Sequence, residues 1–206
     1  MKRPASIGRH WIPKETLWSP LVVAAVMLAP GLVGLAFHRL VLFPSLGPTA
    51  LLMAHFPDHR TTRFYNVVVS HLLGLGSGFL AVIVLGLQHA PSVVDANRIT
   101  LARVVACILA IALATGLELV FDAVHPPGAA TTLLVALGTF KPSLRDTATV
   151  IAGVLIVAAI GDVARRVRLR QKAAAARAGI EESTFGEDDC VSPSLPESTL
   201  PRRNRS

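Results

Sequence analysis

Long apolar runs, separated by short polar connections, occupy most of this chain. No Asp, Glu, Lys or Arg occurs from Trp18 to Phe37 or from Phe64 to Gln88. About 20 helical residues at 1.5 Å each match the roughly 30 Å hydrocarbon core of a bilayer. The pattern therefore predicts an all-α membrane protein, a helical bundle with four long transmembrane helices at about residues 18–38, 64–88, 99–121 and 145–165.

Two shorter apolar segments, at about residues 40–56 and 126–140, each begin next to proline and glycine. Proline suits the first turn of a helix, and glycine permits a close or unusual backbone there. Pro44, Pro126 and Pro127 therefore predict two short, Pro/Gly-broken helices that start inside the membrane. If both segments are re-entrant the chain has four spans, and if both cross it has six. Either topology leaves the two termini on the same side.

The two short segments resemble one element used twice. With an offset of 82 residues, the stretch from Phe43 to Ala54 faces the stretch from His125 to Ala136. The matched positions hold identical residues in both copies, namely Pro44 with Pro126, Thr49 with Thr131, Leu51 with Leu133, Leu52 with Leu134, and Ala54 with Ala136. Long segments of similar length flank each copy, so we expect two internal repeats, at about residues 18–88 and 99–165.

Composition and charge locate the protein in a membrane and argue against a nucleic-acid partner. Apolar residues make up 52% of the chain and charged residues 16%, below the roughly 25% typical of soluble domains. The basic residues behind the net charge of +7 lie at the ends of apolar runs, most densely from Arg165 to Lys172. This pattern predicts cytoplasmic N- and C-termini. We expect a multi-pass protein of the cell membrane, the inner membrane of a bacterium, with the lipid bilayer as its partner.

The same features divide the chain into three regions. Residues 1–17 form a basic cytoplasmic segment, and residues 18–166 form the transmembrane domain. Residues 167–206 are first basic and then rich in Glu, Asp, Ser and Pro, which predicts a disordered cytoplasmic tail.

Small residues in the second long segment indicate close helix packing. Gly74 and Gly78 form a G-x-x-x-G pattern, which lets helix backbones approach each other in lipid. We assign both glycines to packing, and they are also candidates for the interface of a homo-oligomer. Cys107 and Cys190 offer no metal spacing, and H-E-x-x-H and G-x-S-x-G are absent from the sequence. We therefore expect no metal, no cofactor and no enzymatic activity.

The starts of the two short helices are the candidate binding site. Helix N-termini present N–H groups and the positive end of the helix dipole, which together favour an anion. For His125 two interpretations stay open: a role in anion binding or proton exchange, and a structural hydrogen bond to a neighbouring helix. The candidate substrate-binding residues, which supply amides, hydroxyls or an imidazole, are Gly47, Thr49, His125, Gly128, Thr131 and Thr132.

Other polar residues in the apolar segments have structural interpretations. Glu118 and Asp122 lie four residues apart on one helical face, and we expect them to pair with Arg103 or His125. A carboxylate that faces an anion site would be unfavourable, which argues against substrate contacts for both. His71 lies in an otherwise uncharged span, where a polar contact within the core is the favoured interpretation.

The string Asp-Ala-Val-His-Pro-Pro-Gly-Ala-Ala-Thr-Thr, residues 122–132, resembles the motif of the HPP family of small membrane proteins. Phe43 to Ala50, Asn66 and His71 add to this likeness, which covers about residues 15–165. Family members usually have Ala-Gly after the two prolines, whereas Gly128 follows them directly here. The resemblance implies a membrane protein, and some members of the family are implicated in nitrite transport.

The paired helix starts and the family likeness favour one function over another. The leading hypothesis is a transporter or channel for a small anion, with nitrite as the first substrate to test. The alternative is a non-transporting membrane scaffold or assembly partner. A sealed interior, without a polar path between the two repeats, would favour the alternative.

Overall fold

Helices joined by short loops and turns make up the described part of the chain. A computed structural model describes residues 14–187, and side-chain exposure is defined for residues 18–177. No strand occurs within this range. The helices, in chain order, are α1 (Lys14–Phe37), α2 (Leu46–His55), a 3-10 helix (Arg60–Thr62), α3 (Phe64–Val84), α4 (Val93–Ala96), α5 (Leu101–Val120), α6 (Pro127–Ala136) and α7 (Leu144–Glu187).

Four of these helices are long and apolar enough to cross a membrane. They contain the candidate spans Trp18–Phe37, Phe64–Val84, Leu101–Val120 and Leu144–Arg177. Large apolar side chains such as Leu21, Leu35 and Ile108 are exposed on the outside, as lipid contact requires. The four long apolar runs of the sequence are thus confirmed as candidate membrane spans.

The last helix is longer than the sequence suggested. We expected the membrane domain to end at residue 166 and a disordered tail to follow, but α7 continues to Glu187. Its extension contains four consecutive alanines, from Ala173 to Ala176, and alanine has the highest helix propensity. The compact unit that carries the site ends at Leu169, and the rest of α7 belongs to a second unit. Residues 1–13 and 188–206 of the predicted terminal segments lie outside the described residues.

Helix α3 lies at the centre of the bundle and packs against α5 and α6. A Cβ atom at Gly74 would lie 2.5 Å from Thr132 Oγ1 and 2.8 Å from the carbonyl oxygen of Gly128. At Gly78 it would lie 2.7 Å from the side chain of Val135. Both glycines therefore face α6 of the same chain, at a distance that leaves no room for a side chain.

An apolar core joins α1, α2 and α7. Val26, Leu46 and Val154 are buried in one cluster together with Phe43, which lies just before α2. The ring of Phe43 packs edge-to-face against Phe140, with 5.4 Å between ring centroids. This core fixes the N-terminal end of α2 against α7.

Helices α5 and α6 end in the same type of turn. After α5, Asp122 has a φ of 51°, and the next amide, Ala123 N, donates to Glu118 O at 2.9 Å. After α6, Gly138 has a φ of 91°, and Thr139 N donates to Leu134 O at 3.0 Å. Such left-handed termini satisfy the last carbonyls of a helix and turn the chain sharply. The turn at Asp122 directs the following residues back toward α3.

Candidate functional site

The loop between α5 and α6 is fastened to the first turns of α3. The hydroxyl of Tyr65 donates to Phe121 O at 2.9 Å. The amide of Asn66 donates to Asp122 O at 3.3 Å and to Val124 O at 3.4 Å. These bonds fix the backbone that leads into the His-Pro-Pro sequence.

His125 is completely buried at the end of this loop. Its Nδ1 atom lies 2.8 Å from Thr61 O, in the 3-10 helix, and its Nε2 atom lies 3.1 Å from Thr49 Oγ1, in α2. The residue lies outside the four long helices. Burial lowers the pKa of its imidazole to about 4, although the bond to the Thr61 carbonyl acts in the opposite direction. His125 therefore occupies the site as a neutral imidazole near pH 7.

Five side chains with 0% exposure form a continuous hydrogen-bonded line between α2, α3 and α6. Ser45 Oγ lies 2.7 Å from Thr131 Oγ1, which lies 2.7 Å from His71 Nδ1. On the other side of this imidazole, His71 Nε2 lies 3.0 Å from Thr49 Oγ1, which leads on to His125. Buried polar groups are costly unless they are bonded, so these contacts hold the three helices in register. We call this set the buried chain: Ser45, Thr131, His71, Thr49 and His125.

The contacts between the two short helices are reciprocal. Thr49, in the second turn of α2, reaches His125 just before α6. Thr131, in the second turn of α6, reaches Ser45 just before α2. His71 of α3 bonds both threonines, one through each ring nitrogen. The start of each short helix is thus bound to the body of the other.

The remaining candidate residues lie beside the buried chain, and their side chains do not join it. The hydroxyl of Thr132 donates to Gly128 O of its own helix at 3.1 Å. Gly128 itself packs against Ser70 of α3, where an added Cβ would collide with Ser70 Oγ. Gly47 is partly exposed, and a Cβ there would have no neighbour within 4 Å.

Several backbone amides at the two helix starts are already bonded or absent. Pro126 and Pro127 have no N–H group. Gly128 N donates to His125 O at 2.8 Å, and Ala129 N donates to Pro126 O at 3.2 Å. In α2, Leu46 N donates to Phe43 O at 3.0 Å. In this conformation, the first three positions of α6 offer no free amide to an anion.

The acidic residues near the motif do not form the expected pairs. Glu118 is buried and contacts Ser70 Oγ, which also lies 2.9 Å from His125 O. Asp122 forms an exposed ion pair with Arg60. The expected pairing of these carboxyl groups with Arg103 or the His125 imidazole is therefore wrong: the turn at Asp122 points its side chain outward, and Ser70 lies between Glu118 and His125.

Arg103 binds backbone carbonyls. Its guanidinium group donates to Ala136 O at 3.0 Å, at the C-terminal end of α6, and to Ala90 O and Pro91 O at 3.0 and 3.1 Å. A buried cation at this end is favoured by the helix dipole. Arg103 thus anchors α6 at the end opposite to His125.

Sequence reasoning missed Ser45 and Ser70 as site residues. A signal for Ser70 existed, because Asn66, Ser70 and His71 form a polar stripe on one face of an apolar span. For Ser45 the only signal was its place between the proline and glycine of the first short segment. A serine there is equally expected as a helix cap, yet its hydroxyl makes no cap bond and points to Thr131 instead.

The chain matches a known family of membrane proteins. The profile of the HPP transmembrane region matches residues 9–173, which include all of the helices that form the site. No curated protein and no solved structure gives a significant match. The match covers most of the sequence and includes all five residues of the buried chain. The protein therefore belongs to the HPP family of membrane proteins.

Proposed function

We propose that the protein transports a small anion, with nitrite as the first substrate to test, and that the buried chain is its solute site in a closed state. The observation that carries this proposal is a line of imidazoles and hydroxyls, with 0% exposure, between helices that are mostly apolar. Polar and ionisable groups inside membrane domains are costly and generally serve a function. The HPP family membership is consistent with a membrane transporter.

The side chains of the buried chain, rather than the backbone amides, are the donors that an anion would use. Hydroxyls of Thr49 and Thr131 rotate freely about their C–O bonds, and His71 and His125 each carry an N–H group. An entering anion would replace bonds that these groups now make to one another. Of the original candidates, Thr49, Thr131 and His125 fit this role, whereas Thr132, Gly47 and Gly128 shape the surrounding backbone.

A four-span topology with two short membrane helices suits this function best. Helices α2 and α6 have ten residues each, about 15 Å in length, half of the roughly 30 Å that a span requires. Their reciprocal contacts support the idea of two related halves. The basic residues from Arg165 to Lys172 lie at one end of the last span, which supports cytoplasmic termini.

Nitrite uptake into proteoliposomes tests the proposal. Wild-type protein should raise the initial rate above that of protein-free liposomes, and His125→Ala should abolish the increase. The matched control is His89→Ala, because His89 is an exposed histidine outside the buried chain. Protein-dependent uptake that is equal in wild type and His125→Ala would refute the site, and no protein-dependent uptake would refute nitrite as the substrate.

One observation favours the scaffold as a second candidate. No side-chain nitrogen or oxygen atom of the buried chain lacks a hydrogen-bond partner. Such a satisfied network is also what a purely structural brace between helices requires. A scaffold would give no protein-dependent flux of nitrite or other small anions, while His125→Ala would still lower the stability of the protein.

A further inference from the structure

The direction of each hydrogen bond in the buried chain follows from one fixed point. His125 Nδ1 faces the carbonyl oxygen of Thr61 at 2.8 Å, and a carbonyl oxygen can only accept. Nδ1 therefore carries the hydrogen. In the neutral imidazole Nε2 is then bare. We assign the Thr49 hydrogen to Nε2, at 3.1 Å, rather than to Ser45 O, at 3.0 Å, because a bare nitrogen and a hydroxyl oxygen would otherwise face each other without a hydrogen between them.

The same count orders the rest of the chain. Because the Thr49 hydrogen points to His125, Thr49 Oγ1 accepts from His71 Nε2–H at 3.0 Å. His71 Nδ1 is then bare and accepts from the Thr131 hydroxyl at 2.7 Å. Thr131 in turn accepts from Ser45 at 2.7 Å. Every donor points the same way, from Ser45 toward the carbonyl of Thr61.

The arrangement also has a place for one additional proton. Thr49 Oγ1 also lies within hydrogen-bond distance, 3.0 Å, of the carbonyl oxygen of Ser45, a second acceptor for the same hydroxyl hydrogen. If His125 Nε2 gains a proton, it donates to Thr49, and the Thr49 hydroxyl turns to Ser45 O. The charged state thus needs one hydroxyl rotation and no movement of the backbone.

One end of the buried chain lies next to a surface cavity. Thr61, His59 and Pro126 are among the residues that line this cavity of about 300 Å³. His59 is exposed, and its Nδ1 atom lies 2.9 Å from Thr61 Oγ1. Water in the cavity would therefore lie close to the bond between His125 Nδ1 and the Thr61 carbonyl.

Few other charged groups face the two buried imidazoles. On α5, Glu118 reaches them only through Ser70. The hydroxyl of Ser70 has one hydrogen and contacts two acceptors, and a protonated Glu118 that donates to Ser70 satisfies both contacts. Nearer the surface, the Asp122–Arg60 ion pair and His59 lie on the loop and the 3-10 helix, while the described part of α6 carries no titratable side chain. No carboxylate of the described residues therefore lies in direct contact with His71 or His125, where its negative charge would keep one of them permanently protonated.

We propose that the buried chain conducts protons between Ser45 and the cavity beside Thr61, so that solute transport is coupled to protons. This inference rests on the proposed transport function and adds the coupling ion. In one passage, the protonated solute gives its proton to Ser45 Oγ and becomes the anion. Each group then hands its own hydrogen to the next group along the chain, and His125 releases its Nδ1 proton to water in the cavity. One proton enters and one leaves.

The resting order is restored by the Thr61 carbonyl. After a passage, the bare Nδ1 of His125 faces this carbonyl, and two acceptors face each other. Both imidazoles regain their starting tautomers in the open state, where solute and water have replaced the bonds of the buried chain: each ring gives one hydrogen to water and takes one from water at its other nitrogen, and on closure the carbonyl selects the Nδ1–H form of His125. The carbonyl therefore sets the polarity of the chain in each cycle.

Magnetic resonance of isotope-labelled histidine in membranes tests the hydrogen order without any solute. We expect His71 in its Nε2–H form and His125 in its Nδ1–H form, with His71→Gln and His125→Gln used to assign the signals. In Thr49→Val, where the central hydroxyl is missing, the signals of both imidazoles should change. The proposal would be overturned if His125 is found in its Nε2–H form, or if the signals of both imidazoles are unchanged in Thr49→Val.

Nitrite uptake under a gradient of one pH unit, acidic outside, tests the coupling. The rate of protein-free liposomes is subtracted, because nitrous acid crosses bilayers unaided. We expect the gradient to raise the wild-type rate by up to about tenfold, the equilibrium factor that one pH unit supplies per proton. Because Thr49 also belongs to the proposed solute site, each variant is judged by the ratio of its own rates with and without the gradient. Thr49→Val should lose the increase in this ratio, whereas Thr49→Ser, which keeps the hydroxyl, and Thr132→Val, which lies outside the buried chain, should show it.

The two experiments separate the possible failures. Protein-dependent nitrite uptake that ignores the pH gradient, or a Thr49→Val variant that responds like wild type, overturns the proton proposal and leaves the transport function intact. No protein-dependent uptake refutes the transport function for nitrite. In that case the histidine signals still decide whether the hydrogens are ordered as the proton proposal requires.

Discussion

The two short helices share their length and much of their sequence, but their starts are built differently. Helix α2 follows Phe43, whose ring packs against Phe140 in an apolar core. Helix α6 follows His125, whose two ring nitrogens bond other parts of the chain. The start of a short helix can thus be held by packing or by hydrogen bonds. Only the second kind leaves groups that can bind a solute or a proton.

The largest effect is expected when the second start is made to resemble the first. His125→Phe removes the donor to Thr61 O and the acceptor for Thr49. The Thr49 hydroxyl can turn to Ser45 O, whereas Thr61 O is left without this partner, and a buried group without a partner costs about 1–3 kcal/mol. We expect a loss of about 1–3 kcal/mol in the free energy of unfolding, together with loss of transport. The unfolding midpoint of the purified protein in detergent measures the first effect.

Phe43→Leu is the matched change at the first start. It keeps an apolar side chain in the core, so transport should persist with a smaller fall in the unfolding midpoint. If the two variants lose stability and transport equally, the distinction between a packed start and a bonded start is wrong.

The second effect concerns the glycines near the two helix starts. A Cβ at Gly128 would collide with Ser70 Oγ and lie 3.1 Å from Glu118 Oε1, whereas a Cβ at Gly47 meets nothing within 4 Å. We expect Gly128→Ala to destabilise the protein by about 1–3 kcal/mol, as overpacking commonly does. Gly47→Ala should be neutral or stabilising by up to about 1 kcal/mol, because alanine is the better helix former.

Thermal unfolding of both alanine variants in the same detergent measures this difference. The collision at Gly128 is with Ser70, so adding Ser70→Ala should recover part of the lost stability. An equal fall in the unfolding midpoint for Gly47→Ala and Gly128→Ala would show that α6 does not pack against α3 more closely than α2 packs against its own neighbours.

The apolar runs of the sequence predicted the four long helices and the two short ones. The long helices are predictable because the length of an apolar run that can cross a bilayer is set by the thickness of the bilayer and hardly by tertiary contacts. The boundary after residue 166 was less predictable. The basic residues from Arg165 to Lys172 mark the end of the span, but they do not end the helix, and the alanines that follow favour its continuation.

The candidate site was predicted in part. Proline and threonine placement drew attention to Thr49, His125 and Thr131, which the structure brings together through His71. The expected polar contact of His71 within the core is confirmed, but its two partners were not accessible from the sequence, because they depend on which side of α3 faces the two short helices. The sequence also did not show that the amides of Gly128 and Ala129 are already bonded. Their acceptors are carbonyls three residues earlier, and this turn depends on the backbone conformation at His125 and Pro126.

The smallest effect tests the reciprocal bonds between the two short helices. Thr49→Val removes a hydroxyl that bonds both His71 and His125, and Thr131→Val removes one that bonds both His71 and Ser45. Each should therefore cost about 1–3 kcal/mol, and the effect tested here is the smaller coupling between them. Because both threonines bond the same imidazole, the double variant should deviate from the sum of the single effects by at least about 0.5 kcal/mol. Chemical unfolding of the single and double variants gives this coupling energy.

Thr132→Val provides the control for this cycle. The Thr132 hydroxyl bonds only the carbonyl of Gly128 in its own helix and shares no partner with Thr49. The effects of Thr49→Val and Thr132→Val should therefore add to within about 0.5 kcal/mol, as they do for independent sites. If Thr49 and Thr131 are also additive, His71 does not link the two short helices energetically. The two starts would then have to be treated as separate elements, each stabilised only by its own surroundings.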